Sequence, residues 1–340
     1  MITRRTLAAA VTFAASPALA QKTRPIVIAH RGASGERPEH TLMAYKLAIE
    51  QGCDFIEPDL VVTKDGHLVV RHENEIAGTT DVASRPEFAA RKTEKLIDGQ
   101  KITGWFTEDF TLAELKTLRA RERLPQIRPG SAKFDGRDAI PTYQEVIDLA
   151  KAESRRTGRT IGTYPEMKHP TYFAGIGLPM EQRLADTLKK NGLDSRTAPV
   201  FVQCFEVAPL KAFMGLSKAR RVMLIGQTGA AAPTKTPEDL KAIAAFADGL
   251  GPEWPMVVDV VDGGLGPPTK LVDLAHAAGL AVHPWTVRAE SQFLPPKLKR
   301  GASPADHGDA ETLCRALYAA GVDGVFSDFP GLAVKARNPA

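Results

Sequence analysis

Beyond its first twenty residues, this 340-residue chain has no apolar stretch that reaches the roughly 18 residues of a membrane-spanning helix. Stable membrane insertion of the mature chain is therefore not expected. Charge of one sign is also scarce: the formal net charge is +4, and no long basic run carries interleaved aromatics, so nothing argues for a nucleic-acid partner. The only cysteines are Cys53, Cys204 and Cys314, which cannot all pair within one chain. Cys53 and Cys204 lie in or beside apolar segments and read as buried thiols. Nucleotide-binding signatures are missing too. Gly32-x-x-Gly35 lacks the three-glycine spacing of a dinucleotide loop, and no Gly-Lys-Ser or Gly-Lys-Thr ends a phosphate loop, which disfavours nicotinamide and ATP.

What is present is a globular balance, 43% hydrophobic and 25% charged residues, sufficient for one large barrel-like domain or two ordinary ones. The N-terminus is a separate object. Arg4 and Arg5, the apolar Leu7 to Ala15 and the closing Ala18-Leu19-Ala20 have the order of a secretory signal peptide over residues 1–20, with cleavage after Ala20. Thr3-Arg4-Arg5-Thr6-Leu7 is a loose match to a twin-arginine signal, and the Sec route stays open. The mature chain, 21–340, is thus expected in the periplasm or outside the cell.

After the signal, apolar and amphipathic segments alternate. Strands are expected to begin near residues 25, 54, 160, 199, 221, 256, 281 and 323, with helices between them such as 41–51, 142–155, 180–190, 237–248 and 309–319. Eight strands alternating with helices point to a TIM (β/α)8 barrel, with a doubly wound open sheet as the runner-up. Residues 73–141 break the rhythm. They read as an insertion after the second strand, with Trp105, Phe106 and Phe110 and a helix expected over Leu112 to Arg121 behind a Thr111/Glu114 capping box. An insertion there would sit over the carboxyl end of the barrel as a lid or substrate wall, or else form a solvated excursion.

The chemistry-bearing residues stand at strand ends. Glu57 and Asp59 are two apart on a strand, so both side chains leave one face. Two carboxylates so close call for a hard divalent cation, Mg²⁺ or Ca²⁺, and Glu166 on another strand would complete a three-carboxylate site. Lys168 shares the face of Glu166 and offers a point charge to an anionic oxygen; Arg31, before a small-residue loop, offers a fork of donors matched to phosphoryl oxygens. His30 closes the first strand and His72 follows the apolar Leu68 to Arg71. Two near-neutral titrating groups beside a cation and a basic clamp suit paired proton transfer. His276 and His307 lack such company and read as surface residues.

With His30-Arg31-Gly32, Pro38-Glu39-His40-Thr41, Glu57-Pro58-Asp59, Thr63-Lys64-Asp65-Gly66, His72, Glu166-x-Lys168, Gln203-Cys204-Phe205, Trp285-Thr286-Val287 and Ser327-Asp328-Phe329-Pro330, the chain resembles the glycerophosphodiester phosphodiesterases, specifically their secreted bacterial branch. The resemblance implies a TIM barrel that hydrolyses small glycerophosphodiesters to sn-glycerol 3-phosphate and an alcohol, usually with Ca²⁺ or Mg²⁺. It implies His30 and His72 as the acid/base pair, Glu57, Asp59 and Glu166 as metal ligands, and Arg31 and Lys168 as phosphate-contacting cations. It also implies attack of a neighbouring glycerol hydroxyl on phosphorus, giving a cyclic phosphate that water opens. Trp285 is a candidate apolar wall for the substrate or a barrel-packing residue. His40 and Glu73 stand where the family commonly has asparagine and aspartate. The alternatives are a secreted phospholipase acting on phosphoinositides or lysophospholipids, and a secreted protein that binds glycerophosphodiesters without cleaving them.

Overall fold

A computed structural model describes residues 24–228 and 236–338; the expected signal peptide, residues 1–20, lies outside them. Eight parallel strands form a closed ring: β1 (Ile26–His30), β2 (Phe55–Glu57 continuing as Asp59–Val62), β3 (Gly162–Thr163 continuing as Glu166–Met167), β4 (Phe201–Cys204), β5 (Arg220–Ile225), β6 (Gly249–Pro252), β7 (Ala281–Val282) and β8 (Gly324–Ser327). Neighbours pair in sequence order, and β8 pairs with β1. Past the end of β7, Val287 bridges Ser327 in parallel and closes the circle. The helix following each strand in turn is α1 (Leu42–Glu50), α2 (Tyr143–Thr157), α3 (Met180–Lys190), α4 (Val207–Leu216), α5 (Pro237–Ala244), α6 (Leu271–Ala277), α7 (Ala310–Ala319) and α8 (Pro330–Arg337).

The period of two along each strand sorts residues between two cores. Val27, Ala29, Ile56 and Val202 face outward into the large apolar layer beneath the helices, whereas Ile28, Phe55, Tyr164, Phe201, Val222 and Phe326 form a separate cluster inside the ring. Glycine makes room there. A Cβ on Gly162 would lie 2.2 Å from the Phe55 ring, so a side chain at that position would displace a filled layer of the barrel. β2 and β3 are interrupted at Pro58 and Pro165, which lack an N–H to donate. The ladder resumes in register beyond them, with Asp59 opposite Glu166.

Two expected elements differ. The sixth barrel strand is Gly249–Pro252, not the segment near Met256; Val258–Val261 instead pairs antiparallel with Gly264–Pro268 as an outlying hairpin. The true strand is disguised by composition. A Cβ on Gly251 would come within 2.6 Å of Leu224, so the position takes glycine at the cost of a visible apolar run. The helix after Thr111 keeps its capping box but spans only Leu112–Leu115. Farther on, the Arg119, Ala120 and Arg121 amides donate to Asp81 Oδ1, Asp138 O and Thr79 O, which pulls that backbone out of a helical path.

Between Leu68–Val70, which runs antiparallel to the end of β2, and α2, the chain forms short turns and a hairpin, Thr93–Ile97 with Gln100–Gly104. Trp105, Phe106 and Phe110 are buried, and the Phe88 and Phe110 rings meet edge to face at 5.1 Å. These aromatics are packing residues and not an exposed rim.

Candidate active site

Strand alternation also builds the site. Continued toward the carboxyl ends, the inward columns read Ile26, Ile28, His30; Phe55, Glu57, Asp59; Tyr164, Glu166, Lys168; Phe201, Gln203, Phe205; and Gly324, Phe326, Asp328. The apolar members fill the barrel, and the polar members emerge above them where a TIM barrel places its chemistry. His30, Arg31, Glu57, His72, Glu166, Lys168 and Trp285 accordingly line one cavity of about 210 Å³. Asp59 is buried beneath it, adjoining the carboxylates.

Ligand oxygens of Glu57, Asp59 and Glu166 all lie within 4.8 Å of one another, and all three residues are buried. Burial and the neighbouring charges of Asp59 and Glu166 push Glu57 well above the usual carboxylate range. Burial likewise pushes Glu166 up to about 8, against the pull of Lys168. Asp59 is held well below its usual range despite burial, by His72, His40 and Arg31. Three crowded oxygen donors, two of them prone to keep a proton, fit a hard divalent cation, which would supply the missing positive charge. Around them, the Arg31 amide and Gln203 Nε2 donate to Glu57 at 2.8 and 3.0 Å, and Lys168 Nζ sits 3.1 Å from Glu166.

His30 presents Nδ1 to Asp328 Oδ1 at 2.6 Å, so the proton belongs on Nδ1 and Nε2 is left for the cavity. Asp328 also accepts from Arg128 and from Arg288 Nε, the latter at 3.1 Å; these cations hold it well below its usual range in spite of burial. On the other side, His72 Nε2 lies 3.3 Å from Lys168 Nζ, its donor, and His72 Nδ1 lies 2.7 Å from Glu73 Oε1. Burial, followed by Arg31, pushes His30 down to about 4; burial, Arg31 and Lys168 do the same for His72. Burial and the flanking cations thus oppose the charged form of both imidazoles.

The two departures from family expectation have identifiable contacts. His40, fully buried at φ +59°, donates through one ring nitrogen to Asp59 at 2.8 Å and meets Tyr45 Oη at 2.8 Å through the other. Asparagine tolerates such a left-handed backbone well, and histidine here adds reach to the carboxylate. Glu73 extends from His72 to His169, whose Nε2 is 2.8 Å from Glu73 Oε2 and whose Nδ1 is 2.6 Å from Asp98 in the hairpin turn. His276 pairs with Asp323 and is half-exposed, and His307 is exposed, in line with the sequence reading. All three cysteines are buried and free.

Sequence reasoning quoted Asp328 without giving it a role and missed Arg128, Glu290 and His169. Arg128 is buried between Glu290 and Asp328, residues more than 160 positions away, so no local pattern announces it. Asp328 had a signal: it is the next inward position after Phe326. Trp285, offered as a substrate wall or as packing, is placed at the cavity with its indole N–H tied to the barrel backbone. It lines the cavity edge-on to Phe205 and donates Nε1 to Gly251 O at 2.8 Å.

A profile described as "Glycerophosphoryl diester phosphodiesterase family" matches residues 30–332. Similar proteins include "Glycerophosphodiester phosphodiesterase GDPD6" of Arabidopsis thaliana, 36% identical over 331 residues that cover 92% of this chain and 85% of that protein. The "Glycerophosphodiester phosphodiesterase" of Haemophilus influenzae is 31% identical over 351 residues, covering 92% of this chain and 90% of the other. Among solved structures, a glycerophosphodiester phosphodiesterase from Agrobacterium tumefaciens superposes with a TM-score of 0.60 at 18% identity, covering 91% of this chain and 98% of that one. An Oleispira antarctica phosphodiesterase, solved in complex with the product sn-glycerol-3-phosphate, gives 0.59 at 24% identity over 92% of this chain and 96% of that one. The structural likenesses show a shared fold, and plant and bacterial proteins both stand among the relatives.

Proposed function

Because this chain belongs to the glycerophosphoryl diester phosphodiesterase family and is a glycerophosphodiester phosphodiesterase, we propose that it cleaves small glycerophosphodiesters by two-histidine acid/base catalysis through a cyclic phosphate. The observation that carries this reading is the convergence of His30 and His72 on a cavity with three buried carboxylates at its base. In the proposed reaction, one imidazole takes the proton of the glycerol hydroxyl next to the phosphate. That oxygen forms a bond to phosphorus as the bond to the alcohol oxygen breaks, and the other histidine, which enters the step protonated with the phosphodiester anion beside it, delivers that proton to the departing alcohol. Water then opens the cyclic phosphate with the roles reversed, giving sn-glycerol 3-phosphate.

Arg31 and Lys168 stand beside the histidines as the cations for the phosphoryl oxygens. Asp328 fixes the ring of His30 and leaves its Nε2 for proton transfer, whereas His72 has Glu73 against Nδ1 and Lys168 donating to Nε2, a contact it would exchange for the substrate. Glu57, Asp59 and Glu166 would hold one Ca²⁺ or Mg²⁺, which when bound lowers the pKa of a coordinated hydroxyl and offsets phosphoryl charge. Phe205 and Trp285 give the inner cavity its apolar wall.

Membership of the secreted branch and a periplasmic or extracellular setting rest on the pattern in residues 1–20; among the described residues no helix is long and apolar enough to cross a membrane. The catalytic reading is tested by His30→Ala and His72→Ala, each expected to lower turnover by roughly 10² to 10⁴ with the melting transition retained. Near-wild-type release of glycerol 3-phosphate by either variant would remove that histidine from the chemistry.

A further inference from the structure

The cavity at the carboxyl end of the barrel has two lobes. The inner one contains the carboxylates, Lys168 and the apolar wall; the outer one, about 420 Å³, shares His30, Arg31, His72, Trp285 and Arg288 with it and continues beneath the 73–141 segment. In the proposed reaction the glycerol half belongs with the carboxylates, which leaves the outer lobe for the departing alcohol.

Its wall is asymmetric in charge. The carboxylates that border it, Glu39 and Asp328, have side chains only 5% and 3% exposed, and each is capped by guanidinium groups. The capping side chains of Arg123 and Arg288 are 34% and 31% exposed. Arg123 gives one nitrogen to Glu39 at 2.6 Å and Arg288 gives its Nε to Asp328 at 3.1 Å. Neither makes another side-chain hydrogen bond among the described residues, so most of both donor forks remains for a ligand. With four arginines, Arg31, Arg123, Arg128 and Arg288, against two shielded carboxylates, the lobe presents a positive surface.

A quaternary ammonium group would need an open aromatic face or an accessible carboxylate. The outer lobe has no accessible carboxylate, and its Phe293 ring already carries the Arg288 guanidinium 4.8 Å from its centroid. We infer that the outer lobe is a head-group subsite for anionic alcohols, in which Arg123 and Arg288 read a phosphate on the departing alcohol. The inference rests on the phosphodiesterase reading and assigns the selectivity to two loops, one from the 73–141 segment and one after β7.

The test compares sn-glycerophosphoinositol 4-phosphate with sn-glycerophosphoinositol, the same polyol without the second phosphate, and with glycerophosphocholine. The expected kcat/KM is higher for the phosphorylated diester by roughly tenfold or more, the value of one charge-assisted hydrogen bond. The advantage should lie mainly in KM and shrink as salt is added. In Arg123→Gln/Arg288→Gln the ratio should fall toward one, while the double Arg→Lys variant retains part of it. Equal kcat/KM for the three diesters in the wild type, or a preference that survives the double Gln substitution, overturns the subsite. Calorimetric binding of the same three compounds to His30→Ala measures the preference without turnover. Retained preference with no hydrolysis of any diester by the wild type would overturn the phosphodiesterase reading alone, and equal affinities would overturn the subsite.

Discussion

Asp328→Asn separates the shape of the His30 contact from its charge. The asparagine oxygen can still accept from His30 Nδ1, now 2.6 Å from the carboxylate, but the imidazolium formed during turnover would face a neutral amide. At an effective dielectric near 20, unit charges about 4 Å apart interact by about 4 kcal/mol. That corresponds to roughly three decades in rate if the carboxylate acts only on the charged state. The known cost of neutralising a buried carboxylate behind a catalytic histidine, about 10⁴ in a serine protease, is of the same order. We expect kcat to fall by roughly 10² to 10⁴, with a smaller change in KM. Since Asp328 raises the His30 pKa, the limb of the pH profile belonging to His30 should move to lower pH. Arg288 would lose its carboxylate while Arg128 retains Glu290, so a stability loss on the order of 3 kcal/mol accompanies the change. Coupled detection of glycerol 3-phosphate, run well below a separately measured Tm, reads the rate. A folded variant with kcat within about threefold of wild type would refute the argument and leave Asp328 as a packing residue.

Divalent-cation affinity should rise with pH, because Glu57 and Glu166 are held above their usual range and must release protons to bind. Calorimetry in buffers of different ionisation enthalpy should register proton release, and a pH-independent affinity would contradict it. Glu122, pushed up to about 7 by burial, favours its protonated form in the folded state. The wild type therefore loses stability as pH rises from the unfolded value of about 4.3 through 7, and Glu122→Gln, which can keep the Leu124 and Ser131 contacts, should gain up to about 3 kcal/mol at pH 8 and little at pH 4. Equal thermal shifts at both pH values would exclude that cause. His169→Ala should free Glu73 from one of its two histidine contacts and lower kcat more than it changes KM, with His169→Gln restoring part of the loss. An unaltered kcat in His169→Ala would show that Glu73 needs no such support.

Much of the site was legible because a strand's period of two does not depend on tertiary detail. Once His30, Glu57 and Glu166 are recognised at the ends of apolar strands, their side chains are directed to one side of a barrel wall. Barrel strands that carry branched or aromatic residues were legible for the same reason. β6 was not, since Gly249 and Gly251 are selected by the closeness of Ala281, Val222 and Leu224, which only the folded ring brings near. Supporting residues were hidden differently. Arg128 reaches Asp328 across 200 residues, and His169 reaches Glu73 from a left-handed turn at φ +48°. Long-range polar contacts of this kind have no periodicity to read. The buried state of Trp105, Phe106 and Phe110 also follows from packing within the 73–141 segment, which composition alone leaves open between rim and core.

The central claim is phosphodiester cleavage at a site that depends on the Glu57, Asp59 and Glu166 carboxylates. Its most direct measurement is release of glycerol 3-phosphate from glycerophosphoinositol by the purified protein, before and after chelation and after restoring Ca²⁺ or Mg²⁺. The account predicts release that chelation abolishes and one of the two ions restores, with Glu57→Gln requiring a higher concentration of that ion. Undiminished release after exhaustive chelation, or no release under any of these conditions, would contradict it.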